Sequence, residues 1–134
     1  MEVTAALLAD AAQVQGGKLY LLGGGFDTIR TRNVPAVHKA LCVVLVIEVG
    51  PDERHTDLDI RVTLYDEDMS PTGAEAQGTL RVGAPPTLRP GQASLIPLVI
   101  PFSDLPLPSA KGYAFVVAQA DRELVRIPLW VVIA

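Results

Sequence analysis

The chain has 134 residues, 49% of them hydrophobic and 19% charged, with a net charge of −4. That balance fits one globular domain over residues 1–134, able to bury roughly 70% of its unfolded surface, and excludes a disordered chain. The acidic balance gives no electrostatic footprint for nucleic acid or an anionic membrane, and the single Cys42 excludes an internal disulfide framework and suits a reducing cytoplasm.

Val3–Gln15 has helix-forming composition, with Thr4 as an N-cap and Gly16 as a stop, but it also reads as a strand. In the strand reading Thr4–Ala9 is the strand, and Gln13 through Gly16-Gly17 to Lys18 turns it into Lys18–Leu22. The strand is preferred because everything downstream is β. A secretory signal is not expected, since Glu2 precedes any Lys or Arg and the apolar stretch stops at Asp10.

Gly23-Gly24-Gly25 predicts a bulge or bend before the strand-like Phe26–Thr31. Ala40–Val49 is apolar on both faces, which predicts a central strand closed by Gly50-Pro51-Asp52. Its run Ala40–Ile47 is too short to span a bilayer as a helix. From Asp57 to Tyr65 the period is two: Leu58, Ile60, Val62 and Leu64 alternate with Asp57, Asp59, Arg61 and Thr63, the pattern of a half-buried strand. Asp66–Gly73 reads as a turn and Gln77–Val82 as the returning strand of a meander.

Gly83–Gly91, with Pro85, Pro86 and Pro90, reads as a loop. Pro97 places Ser94–Ile100 at an edge or a bulge, because proline lacks a ladder donor. Phe102–Gly112 is expected to be an irregular crossing. Tyr113–Gln119 and Leu124–Ile133 form a hairpin across Ala120–Glu123, with Pro128 again marking an edge or a bulge. The whole predicts an all-β protein: an antiparallel β-sandwich, Ig-like or C2-like, of about eight strands with little or no helix.

Candidate chemistry is sparse. The glycine run lacks the Lys and the helix that a phosphate loop needs. Asp66, Asp68 and Ser70 match the first spacings of an EF-hand calcium loop, but Pro71 stands at the required glycine and Gln77 at the bidentate glutamate. A charged, solvated turn is the simpler reading. His38 and His55 sit at no metal-site spacing and are expected in exposed loops, though Asp52, Glu53 and Asp57 lie near His55. Cys42 reads as a small core residue. Ser70, Ser94, Ser103 and Ser109 fall in no nucleophile elbow. The chain is therefore not expected to be an enzyme, and no cofactor is expected.

Partner surfaces are the remaining option. The crossing with Leu105 and Leu107, together with Tyr113 and Trp130, supplies candidate interface residues, although core packing is the ordinary fate of such aromatics. Ala40–Ile47 and Leu124–Ile133 carry more apolar residues than one small sandwich face needs, which points to a protein partner or a second copy. Edge pairing by the last strand is the expected mode. The different-class alternative is a small-ligand or calcium-binding module at Asp66–Ser70.

Three stretches resemble a family of short bacterial stand-alone β-sandwich proteins of unknown function. They are Ala9–Gly24, with its Asp10 strand and Gly17-Lys18-Leu19 hairpin; Leu58–Asp68; and Phe102–Pro108 through Gly112-Tyr113-Ala114-Phe115 and Leu129–Val132. The resemblance implies a β-sandwich and assigns no catalytic or ligand residue. One departure is Asp121-Arg122, where members often have Asp-Gly in the last hairpin.

Overall fold

A period of two commits each strand to one buried face, so two such sheets must stack. They do so in a computed structural model of the chain, which describes residues 1–84 and 87–134. Pro85 and Pro86 of the expected loop lie outside those residues. The strands are β1 (Glu2–Gln15), β2 (Lys18–Phe26), β3 (Thr28–Thr31), β4 (Ala36–Val49), β5 (Leu58–Asp66), β6 (Pro71–Leu80), β7 (Ser94–Leu107), β8 (Gly112–Gln119) and β9 (Arg122–Ile133). One sheet, A, has the order β2-β1-β4-β7; the other, B, has β3-β9-β8-β5-β6. A 3-10 turn, Pro51–Glu53, follows β4. Among the described residues no helix is long and apolar enough to cross a membrane.

The N-terminal segment is strand, and Gly16 and Gly17, both at positive φ, close its hairpin as the Gly-Gly pair requires. The glycine run is a bulge: Leu8 pairs with Phe26 and Ala9 with Gly24, which leaves Gly25 extra at φ +88. β4 lies between β1 and β7, the central position expected for it. Its inward residues Leu41, Val43, Leu45 and Ile47 meet Leu58, Ile60, Val62 and Leu64 of β5 in one core, where the Phe102 and Phe115 rings of opposite sheets stand 5.1 Å apart.

Several boundaries differ from the sequence reading. The segment from Phe102 is strand, not irregular crossing, as far as Leu107. β7 pairs on one side only, and on an edge a proline whose nitrogen faces outward removes no ladder bond. β6 begins at Pro71, because Asp66 Oδ1 accepts the N–H groups of Asp68 and Ser70 and tightens the preceding turn. The last hairpin turns on Ala120 and Asp121 alone, with Ala120 at φ 51 and Gln119 opposite Arg122. Its slack is taken up at Leu124, where the register slips. One pair, β3 with β9, is parallel.

The last strand is an edge only in part: β9 lies between β3 and β8 in sheet B, but Arg122–Leu129 is paired on the β8 side alone. β3 covers it only from Trp130 onward, and Pro128 falls in the stretch that β3 does not reach. His38 is half-buried within β4 rather than in an exposed loop, and its Nε2 is buried without a partner among the described residues.

Two outcomes follow from this packing. Leu45→Ala, at a fully buried site, lowers unfolding free energy by about 3 kcal/mol in urea titration, the cost of a core cavity. The second concerns Glu53, which accepts from the Met1 ammonium and, at 3.1 Å, from the Gly50 N–H. The ammonium bond is the larger influence and holds the Glu53 carboxyl below its ordinary 4.5. Because the folded value is depressed, this stabilisation is present above about pH 4.5 and is lost as pH falls below it. Glu53→Gln removes that part of the acid dependence, measured as the thermal midpoint against pH.

Candidate protein-interaction site

Residues directly opposite one another in an antiparallel pair share a face. On sheet A this rule assembles an outer face from Ala9, Cys42 and Pro101, then Leu7, Val44 and Val99, then Ala5, Val46 and Pro97. Ala9, Cys42 and Val44 are buried there, under Leu7, Ala12, Leu19 and Val99. This second apolar cluster lies outside the sandwich core. Cys42 sits in it as a small apolar residue, so the sequence reading of its burial holds but the face is the outer one.

β1 leaves β4 after the Ala9–Cys42 pair, while its pairing with β2 continues to the Gln15–Lys18 pair. Residues 10–23 are therefore a two-stranded arm with no further strand beside them. One face of the arm is apolar, and the other sets Tyr20 and Leu22 among Gln13, Gln15 and Lys18. Ala12 is opposite Leu21 and Val14 opposite Leu19 on one face; Leu22 and Tyr20 lie on the other. Val14 is 43% exposed, Tyr20 51% and Leu22 74%. A two-stranded ribbon is marginal by itself in water, and an apolar one calls for a surface to lie on. At its root, Gly23 has φ +64, and a Cβ there would sit 2.2 Å from Asp10 Oδ2, so the arm's bend requires glycine.

The sequence-derived interface residues fare differently. Leu105, Leu107 and Tyr113 are buried in the core, where their side chains hold the sheets together and present nothing to a partner. The Tyr113 hydroxyl also closes the loop before β8, accepting the Ser109 N–H at 3.2 Å and donating to the Ser109 carbonyl at 3.0 Å. Trp130 is half-exposed on the outer side of sheet B, with its ring laid on Gly112, where an added Cβ would be 2.7 Å away. Val14, Tyr20 and Leu22 were missed because glycines and glutamines around them read as a plain hairpin. The signal was there in Leu19–Leu22, an apolar run without the polar alternation of a half-buried strand.

The Asp66–Ser70 turn is organised by its own hydrogen bonds. Asp66 Oδ1 takes two backbone N–H groups, at 2.9 Å from Asp68 and 3.0 Å from Ser70, and Oδ2 faces Lys111 Nζ at 3.5 Å. The Ser70 bond is the chief cause of a carboxyl held below its ordinary 3.8, followed by that of Asp68 and the charge of Lys111. Among the described residues no group of three or more His, Cys, Asp or Glu side chains converges as a cation would need.

This carboxylate supports the turn, so Asp66→Ala lowers the thermal midpoint by several degrees at neutral pH. The difference from wild type shrinks as pH falls below about 3.8, as a depressed carboxyl requires. Differential scanning fluorimetry of the two proteins across pH measures both effects.

No curated protein matches the chain. Among solved structures, 72% of the chain overlays part of one described as "The structure of a beta-glucuronidase from glycoside hydrolase family 2", with a TM-score of 0.39 and 12% identity. The chain spans 11% of that protein's length. The model of a family of unknown function (DUF6941) matches residues 4–132, nearly the whole sequence, and the protein belongs to that family.

Proposed function

We propose that this protein is a non-catalytic interaction module that works by burying the β1–β2 arm and the outer face of sheet A against protein, a second copy first. One observation carries the reading: an arm with exposed apolar side chains that pairs with no strand beyond its own two. On the arm Val14, Tyr20, Leu21 and Leu22 expose on the order of 400 Å² of mostly apolar surface over its two faces. Doubled across a two-fold axis and given an ordinary polar rim, this reaches about 1,400 Å², within the range of stable interfaces.

Other properties fit the same reading. The net charge of −4 argues against nucleic acid as the partner. A buried, apolar-packed Cys42 suits a reducing cytoplasm, and a bacterial, stand-alone protein accords with the family resemblance.

Sedimentation velocity tests the self-association. Wild type sediments as a dimer at micromolar concentration, and Tyr20→Ser with Leu22→Ser sediments as a monomer with an unchanged far-UV spectrum. A wild type that stays monomeric to high micromolar concentration overturns the second-copy reading.

A further inference from the structure

Each sandwich edge has to keep other chains from adding to its ladder, and here the edges differ in how they do so. β7 carries Pro97, Pro101 and Pro106; β3 has four residues; the stretch of β9 that β3 does not cover contains Pro128; and β2 carries Gly23 and Gly25 at positive φ. β6 has none of these devices between Glu75 and Leu80. Among the described residues, no loop backbone hydrogen-bonds to this stretch.

The core beside that edge is incomplete. β6 and β7 are the last strands of their sheets on the same side of the sandwich, and between them opens an apolar cleft of about 200 Å³ lined by Ile60, Val62, Leu80, Leu98 and Ile100. β6 does not fill it, because its inward positions there are Ala76, opposite Val62, and Gly78, opposite Ile60. A Cβ added at Gly78 would meet nothing within 4 Å, although the position faces the core.

An unguarded ladder beside an unfilled slot suits an extended backbone with large apolar side chains at alternate positions. Charge narrows the occupant further. Glu67 and Asp68 lie in the turn that enters β6, and Asp104 lies between Ser103 and Leu105, which line the groove opposite Gly73–Ala76. None of the three forms an ion pair among the described residues, whereas Arg61 is taken by Glu75 and Arg81 by Asp57. Lys39 of β4 stands opposite Asp104 in register, so the charges left without a partner are Glu67 and Asp68 where β6 begins, and a Lys or Arg flank belongs there.

We infer that the edge of β6 is a second docking site, which takes an extended apolar segment of a partner protein with a basic flank as an added strand of sheet B. Its apolar side chains complete the core between β6 and β7. This site lies on the opposite sheet from the arm and does not depend on the arm's role.

The probe is a labelled peptide alternating isoleucine with threonine and ending in two lysines, read by fluorescence anisotropy and by amide exchange. Saturable binding is expected, with slowed exchange at Glu75–Leu80. Gly78→Val, whose side chain enters the open slot, should weaken binding by more than about tenfold while raising the thermal midpoint. Tyr20→Ser with Leu22→Ser should leave peptide binding unchanged, which separates this site from self-association. Equal binding by wild type and Gly78→Val, or no saturable binding by wild type, overturns the inference. Binding of decanoate without binding of the peptide overturns it as well, by making the slot an acyl-chain site.

Discussion

The constraint on which the molecule depends is that β4 is apolar on both faces. A strand of that kind must be covered on both sides, and its neighbours β1 and β7 supply flanks in the plane but no second layer. Inward, Leu41, Val43, Leu45 and Ile47 meet sheet B and make the core. Outward, Cys42 and Val44 are covered by Leu7, Val99 and the arm residues Ala12 and Leu19, with no second sheet over them. The sandwich is stable because of the first set and has an unfinished surface because of the second.

The same tension recurs at the sandwich's margins. Hydrophobic burial favours closing every side, yet a closed sandwich has nothing to offer a partner. Here the sheets close tightly around Leu64, Phe115 and Leu129, while the side between β6 and β7 is left with Ala76 and Gly78 where larger residues would seal it. The arm is the opposite case, a protrusion rather than a slot. Both features place exposed apolar groups on scaffold strands rather than on long loops, which keeps them in a defined geometry.

Much of the fold was legible in the residues because its signals were local. The alternation from Asp57 to Tyr65, the Gly16-Gly17 turn and the bulge at Gly23–Gly25 each follow from backbone sterics or from a period of two. Pro97 on an edge strand was equally readable. What escaped depended on distant partners. Phe102–Leu107 looked irregular because prolines in a strand are harmless only when one side is free, and no local signal reveals a free side. Leu105, Leu107 and Tyr113 could be read either as core or as patch for the same reason: which of the two an apolar residue becomes depends on the facing sheet. The candidate surfaces were the least visible of all. An arm exists because β1 parts from β4, and that parting is a tertiary event.

The parallel pairing of Thr28–Thr31 with Trp130–Ile133 has a consequence for how the protein comes into being. It joins an early strand to the final one across most of the chain, and the Arg122 guanidinium adds a bond to the Met1 carbonyl. During synthesis β1, β2 and β4 can assemble as they emerge, but sheet B has no place for β3 until the last strand has left the ribosome. Sheet B can therefore be completed only once β9 has been made, and until then its apolar strands lack their final neighbours. Long-range pairing of this kind also makes spontaneous refolding slow. A chaperone that shields nascent β-sheet edges would therefore influence the yield of this protein more than that of a helical protein of equal length.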